Sequence, residues 1–251
     1  MTRDRIPGLL VFAGLILPTS AICGAECGNL SGRLVVDGTV PEPAPIALPT
    51  GINVLDESVV VGKDNTLQNV FVYLRTKDVH VAPRYASSAK DELVLDIKNG
   101  RFDPHMLVLR SSQTLKVTNS DRFGINAKLN PLKNPAWNHL LPAGTSATLQ
   151  LALQENLPVR ADSNIQPWLR AWVLVRDDPY STVSLSDGTF TVRELPAGLE
   201  LEFQLWQERA GYLRAVPFRG GASDGRGRFK ITLEAGDNDM GDLRVPASLL
   251  R

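Results

Sequence analysis

From residue 28 onward, short runs of β-branched and aliphatic residues alternate with turn-forming residues, and this alternation favours an all-β fold. Residues 69–74 (NVFVYL) and 171–176 (AWVLVR) are typical runs. The chain's 20 glycines and 17 prolines supply many points at which such strands can end. No long segment has the 3.6-residue apolar period of an amphipathic helix. The pattern therefore predicts β-sandwiches or barrels.

The first 25 residues have the order of a secretory signal. Arg3 and Arg5 precede an apolar run at residues 6–18, and small residues follow. The run is shorter than the about 20 residues that span a membrane. We expect cleavage after Ala25, with Ala21 as the second choice, and export to the periplasm or cell envelope with no transmembrane segment left. An uncleaved signal anchor is the alternative.

Cleavage at this place would remove Cys23 and leave Cys27 as the only cysteine, so no internal disulfide is expected. Stability would then depend on the core, and a chain with 43% hydrophobic residues can form one. Lys plus Arg and Asp plus Glu both number 27, and this balance does not indicate a nucleic-acid partner.

A domain boundary is expected near residues 176–180 (RDDPY), because the strand pattern restarts after it. Asp187-Gly188 predicts a hairpin turn between two strand-like runs, and residues 195–198 predict another turn. We expect a signal peptide at residues 1–25, a first β domain at 26–177 and a smaller β-sandwich at 178–251.

Five segments, in order along the chain, resemble one known family. They are DESVVVGKDNTLQNVFVYLR (56–75), KNGRFDPHMLVLRSSQTLKVTNSD (98–121), NPLKNPAWNHLLPAG (130–144), NIQPWLRAWVLVRDDPY (164–180) and SDGTFTVRELPAG (186–198). On these segments the chain resembles exported cupredoxin-domain proteins of the planctomycete type, which are related to methylamine utilisation proteins. The resemblance implies a cupredoxin-like (plastocyanin- or azurin-like) Greek-key β-sandwich, followed by a smaller transthyretin- or carboxypeptidase-regulatory-like β-sandwich.

The resemblance also implies four copper-ligand positions, and here all four are substituted. The family's N-S-D-x-x-G-H-N pattern has its histidine at Ile125, and its C-N-I-H-P-W-M cluster has its ligands at Ser163, Gln166 and Leu169. The family often has a cysteine where this chain has Gly100. A blue-copper centre needs a thiolate and two imidazoles with a weak axial ligand. The substitutions predict a degenerate site without copper.

These observations predict an exported, non-enzymatic protein with no cofactor. No nucleophile elbow, phosphate loop or zinc-protease motif occurs in the sequence. We expect a binding or interaction module whose protein partner in the envelope is unknown.

Two alternatives stay open. The first is a copper-binding electron-transfer protein with a rebuilt site at His105, together with Asp103 and Met106. The second is a carbohydrate-binding or surface-adhesion module that uses tryptophans, although Trp172 and Trp206 lie in alternating strand patterns typical of a core.

The acidic stretch at residues 237–242 offers oxygen ligands of the kind that Ca²⁺ prefers. It lacks the spacing of an EF-hand loop, and the sequence favours an acidic turn before the last strand.

Overall fold

The computed structural model describes residues 26–43, 45–48 and 53–251, and in these residues the chain consists of β-strands, loops and three short 3-10 helices. The expected all-β fold is confirmed. The expected signal peptide, with Cys23 and both cleavage positions, lies outside the described residues. No helix in the described ranges is both long enough and apolar enough to cross a membrane.

The strands are numbered in chain order. They are β1 (Cys27–Asp37), β2 (Pro45–Ala47), β3 (Asn53–Leu55), β4 (Val60–Val61), β5 (Leu67–Gln68), β6 (Val70–Leu74), β7 (Glu92–Lys98), β8 (Arg101–Asp103), β9 (Met106–Arg110), β10 (Thr114–Asn119), β11 (Ile125–Leu129), β12 (Trp137–Leu141), β13 (Ser146–Leu149), β14 (Val159–Asp162), β15 (Arg170–Arg176), β16 (Ser181–Val183), β17 (Thr189–Pro196), β18 (Glu200–Gln207), β19 (Gly211–Tyr212), β20 (Pro217–Phe218), β21 (Gly221–Ala222), β22 (Arg228–Thr232) and β23 (Gly236–Pro246). The 3-10 helices are Lys63–Asn65, Pro83–Ala86 and Ala247–Leu250.

The first sandwich uses strands from the middle of the chain. A four-stranded sheet in the order β13-β10-β7-β8 faces a five-stranded sheet in the order β12-β11-β14-β15-β9. The core between them contains Leu95, Val117, Ala127 and Val173, all fully buried. These residues alternate with outward-facing ones along their strands, as the period of two in a β-strand requires.

The second sandwich combines strands from both ends of the chain. A three-stranded sheet, β17-β1-β23, faces a sheet in the order β16-β6-β18-β19, with β22 also beside β18. Leu30, Val72, Phe203 and Leu243 lie in the core between these sheets. Strand β1 is antiparallel to β17 and parallel to β23, so residues from the start and the end of the chain pair directly.

A third apolar cluster joins the two sandwiches into a stack of four sheets. Strand β6 is buried on both faces: its Val72 points into the second sandwich, whereas Phe71 and Tyr73 point toward the first. They pack in one cluster with Leu174 of β15 and Trp206 of β18. Because both faces of β6 are covered, its sequence is a continuous apolar run and does not alternate with polar residues.

The strand pairing differs from the division expected at residues 177 and 178. Strands β1 and β6 precede that position, yet they pair with β17, β18 and β23, which follow it. The sandwich formed wholly by residues before 178 spans residues 92–176, from β7 to β15. The expectation rested on the restart of the strand pattern after residues 176–180, and such a local pattern does not show which strands pair with each other.

The predicted turn at Asp187-Gly188 is present and is closed by a hydrogen bond from the Leu185 N–H to the Thr189 carbonyl at 2.9 Å, but strands β16 and β17 on either side of it do not pair with each other. Gly188 has φ +77°, and its N–H donates to the Leu185 carbonyl at 2.9 Å. Strand β16 before the turn pairs with β6, whereas β17 after it pairs with β1. The turn therefore carries the chain from one sheet of the second sandwich to the other.

Candidate functional site

The fold brings the two segments with the predicted degenerate ligand positions together at one end of the first sandwich. Asn126, the second residue of β11, accepts a hydrogen bond through its Oδ1 from the backbone N–H of Asn164 at 2.8 Å. Its Nδ2 donates to Asn138 Oδ1 of the neighbouring strand at 2.7 Å. The amide of Asn126 thus fixes the 163–169 loop against the start of β11.

Two of the four positions belong to the apolar core. Ile125 and Leu169 both have 0% exposure, and both lie in the cluster that fills the first sandwich. Neither side chain has a donor atom for a metal. Their packing follows from the burial of apolar surface, which stabilises a fold by about 25 cal/mol for each Å² removed from water.

The other two positions bond to each other and to the loop that contains them. Ser163 Oγ lies 2.7 Å from Gln166 Oε1 and donates to it. The same oxygen accepts from the backbone N–H groups of Ile165 and Gln166 at 3.1 and 3.0 Å. The Leu169 N–H then donates to the Gln166 carbonyl at 3.0 Å. The polar atoms of the 163–169 loop therefore stabilise the turn.

His105 lies at the junction of the two sandwiches. Its side chain is only 6% exposed, and its Nε2 is 2.6 Å from Oε2 of Glu208, which follows β18 of the second sandwich. Its Nδ1 is 3.7 Å from Glu57 Oε2. Asp103 and Met106, the co-ligands in the rebuilt-site alternative, are placed differently: Asp103 is exposed, and Met106 packs in the cluster between the sandwiches.

The acidic groups around His105 are held by arginines. Arg170 Nη1 donates to Glu208 Oε1 at 2.7 Å, and Arg101 Nη1 donates to Glu57 Oε1 at 2.7 Å. Burial raises the pKa of Glu208, but the hydrogen bonds and charges of His105 and Arg170 outweigh it and hold that pKa below its ordinary value. Glu208 is therefore an ionised carboxylate that links the two sandwiches at neutral pH.

These side chains line a pocket of about 60 Å³. Trp168 and Arg170, at the end of the 163–169 segment, form part of its wall, together with His105, Glu208 and Glu57. The loop that resembles a copper-ligand loop thus also supplies side chains to this separate polar pocket. Among the described residues, no three His, Cys, Asp or Glu side chains are grouped so that they could hold a metal ion.

Sequence reasoning found His105 but missed its partners. Glu57, Arg101, Arg170 and Glu208 lie in four separate segments and form no local motif. The only sequence signal for these partners is a charged residue beside an apolar strand run, and many surface residues show the same pattern.

The acidic stretch at 237–242 is not a cation loop. Asp242 accepts two hydrogen bonds from Arg33, at 2.9 and 3.1 Å, and Asp237 accepts one from Asn29 at 2.8 Å. Both acidic residues lie on β23 and pair across to β1, so they join strands instead of converging on one point.

The tryptophans do not form an exposed platform. Trp172 and Trp206 pack against each other between the sandwiches, with ring centroids 4.8 Å apart. Trp137 and Trp168 are partly buried against the core of the first sandwich. No observation favours the carbohydrate-binding alternative.

No family model matches the chain, and neither does any curated protein. Similar solved structures include the copper-containing nitrite reductase of Thermus scotoductus SA-01, with a TM-score of 0.31 and 15% identity over 34% of this chain and 22% of that one. A Cu(I) form of an amicyanin mutant has a TM-score of 0.30 and 16% identity over 42% of this chain and 98% of its own. An oxidised amicyanin mutant has a TM-score of 0.31 and 16% identity over 42% of this chain and 98% of its own.

The matched region is about a fifth of the nitrite reductase chain. A likeness with TM-scores of 0.30 and 0.31 carries no argument about the site or the activity.

Proposed function

We propose that the chain is an exported, non-enzymatic cupredoxin-like protein without a type 1 copper site, and that it acts as a binding or interaction module in the periplasm or cell envelope. One observation carries the proposal: the side chains at all four ligand positions are engaged in the fold. Ile125 and Leu169 fill the core, and Ser163 is hydrogen-bonded to Gln166.

The chemistry of these four side chains supports the loss of copper. A type 1 centre takes its properties from a cysteine thiolate and two imidazoles. A serine hydroxyl stays protonated at neutral pH and is a weak ligand. Two aliphatic side chains remove donors and also remove the need to bury unpaired polar groups, which would be unfavourable.

The same proposal includes the closer relationship to planctomycete-type proteins and the regulatory-like character of the second sandwich. Support comes from the five sequence segments, which resemble that family in order along the chain.

Copper loading tests the proposal. The protein is expressed with export to the periplasm, incubated with one equivalent of Cu(II) and desalted, and its metal content is measured by mass spectrometry. We expect clearly less than one copper per chain and no type 1 signal in electron paramagnetic resonance. A Cys27→Ser variant serves as a control for copper held by that sulfur. One copper per chain with a type 1 signal would overturn the proposal.

Copper retained without a type 1 signal would favour the rebuilt-site alternative. His105→Gln would then abolish the binding, and His139→Gln, at an exposed histidine of β12, would leave it unchanged.

A restored ligand set tests the assignment of the four positions. The quadruple variant Ile125→His, Ser163→Cys, Gln166→His and Leu169→Met should gain a type 1 signal on addition of Cu(II). A triple variant that keeps Ser163 lacks the thiolate and should not. If the quadruple variant folds, as judged by circular dichroism, and still shows no such signal, these are not the ligand positions.

A further inference from the structure

Two loops of the first sandwich, residues 130–136 and 150–158, are joined by buried polar side chains. Glu155 accepts hydrogen bonds from three consecutive backbone N–H groups of the first loop, at distances between 2.8 and 3.2 Å. Asn134 accepts from the Leu153 N–H at 2.9 Å and donates to the Leu153 carbonyl at 2.7 Å. Hydrogen bonds to an ionised carboxylate are among the strong ones in proteins, so this network holds both loops in one shape.

The same loops present large apolar side chains to solvent. Leu132 is 74% exposed, Leu153 54% and Leu157 41%. Val81, in the loop that follows β6, is 42% exposed and lines the same groove as Leu153. Single exposed leucines are common on protein surfaces, whereas several on one surface indicate an interaction site. Because the loops are already fixed, a partner would bind them without the entropic cost of ordering them.

The groove has a volume of about 550 Å³ and is called the side groove here. Its lining includes Val81 and Leu153 together with exposed charges of both signs, Lys77, Lys133, Asp78 and Asp177. None of these four charges forms an ion pair with another residue in the described ranges.

The remaining charges of the side groove are paired internally. Arg176 Nη2 is 3.1 Å from Asp178 Oδ2. The lining as a whole therefore carries three positive and three negative charges.

This charge balance indicates what kind of partner fits. A polyanion would need a surface of one sign. In an isologous interface a surface meets a second copy of itself, so the surface must be complementary to its own charges. A surface with two unpaired lysines and two unpaired aspartates meets this condition, because the lysines of one copy can face the aspartates of the other. The chain has 27 basic and 27 acidic residues, so no net repulsion opposes the association of two copies.

We propose that two copies of the chain associate through the side groove, with the exposed leucines of each copy packed against the groove of the other. The proposal goes beyond the copper question, because none of these residues belongs to the 163–169 loop or to the four ligand positions. Ion pairs at a solvated rim contribute about 0–1 kcal/mol each. We therefore expect a weak dimer with a Kd on the order of 10 µM or above. Unfolding measurements at lower concentrations report on the single chain.

Analytical ultracentrifugation of the purified protein, at concentrations below and above this Kd, tests the proposal. A reducing agent is present, so that no disulfide forms between two Cys27 side chains. We expect the average mass to rise with concentration toward twice the mass of one chain. Leu132→Asp places a charge among the apolar side chains and should raise the Kd by about tenfold or more. Leu185→Asp is the matched control and should leave the Kd unchanged, because Leu185 is 61% exposed and follows β16, whereas Asp177 precedes it.

Two charge variants test the self-complementary arrangement. Lys77→Glu combined with Lys133→Glu makes all four unpaired charges negative, and Asp78→Asn combined with Asp177→Lys leaves only positive ones. Asparagine is chosen at residue 78, where φ is +56°, because it tolerates this conformation. Neither variant should associate with itself, whereas an equimolar mixture of the two should form a dimer. Circular dichroism establishes that each variant is folded.

Three results would overturn the proposal. The first is the mass of a single chain at every concentration. The second is the same Kd in Leu132→Asp as in Leu185→Asp, since the copies would then meet through another surface. The third is a mixture of the two folded charge variants that stays monomeric.

Discussion

Replacement of Glu208 by glutamine should weaken the junction between the sandwiches. The Glu208 side chain is 4% exposed and makes two charge-assisted hydrogen bonds, 2.6 Å to His105 and 2.7 Å to Arg170. Removing one member of a buried ion pair costs about 3–5 kcal/mol. Arg170 is 36% exposed and can be solvated again, and glutamine keeps one acceptor oxygen. We therefore expect a loss of about 2–3 kcal/mol in the free energy of unfolding.

The pH dependence of this loss gives a second test. The pKa of Glu208 is lowered in the folded protein, so its carboxylate stabilises the fold above the ordinary glutamate pKa. That stabilisation disappears as the pH falls through the lowered, folded-state pKa. The difference between the native protein and Glu208→Gln should thus be largest near pH 7 and should shrink below about pH 4.3.

Urea unfolding, followed by tryptophan fluorescence and by far-ultraviolet circular dichroism, measures both effects. Glu92→Gln is the matched control, because Glu92 is 46% exposed and only pairs with Lys116 at 3.3 Å. Exposed pairs of this kind contribute about 0–1 kcal/mol. The reasoning is refuted if the two variants lose the same stability at pH 7, or if the loss in Glu208→Gln does not depend on pH.

Three further changes test other parts of the fold. Glu155→Gln should lower the free energy of unfolding by about 2–4 kcal/mol, because this buried carboxylate accepts hydrogen bonds from three consecutive backbone N–H groups. Burial raises the pKa of Glu155, but these hydrogen bonds outweigh burial and lower it. The loss, measured by urea unfolding, should therefore shrink at low pH. Gly188→Ala should lower the melting temperature more than Gly198→Ala: both have φ +77°, but a Cβ at 188 would collide with a backbone carbonyl of β1, whereas nothing lies within 4 Å at 198. Leu174→Ala should open a cavity between the sandwiches and lower the free energy of unfolding, measured with urea, by about 2–5 kcal/mol. Leu153→Ala, at an exposed position, should change it by less than about 0.5 kcal/mol.

The ligand chemistry of the 163–169 loop could be predicted from the sequence, whereas the role of the loop in the fold could not. Side-chain identity alone shows that Ser163 and Leu169 cannot supply a thiolate or a thioether. The hydrogen bond from Ser163 to Gln166 and the burial of Leu169 depend on the path of the loop. No residue of the loop indicates that Trp168 and Arg170 would line a pocket with Glu208.

The sequence by itself determined the all-β fold, because side-chain alternation and turn residues act over a few positions of the chain. Trp172 and Val173 of β15, for example, face opposite cores as the period of two requires. Only the tertiary structure decided that β1 lies between β17 and β23 and that His105 meets Glu208 across two sandwiches. These contacts join residues about a hundred or more positions apart. They depend on which apolar faces cover each other in the folded chain, and no local pattern encodes that choice.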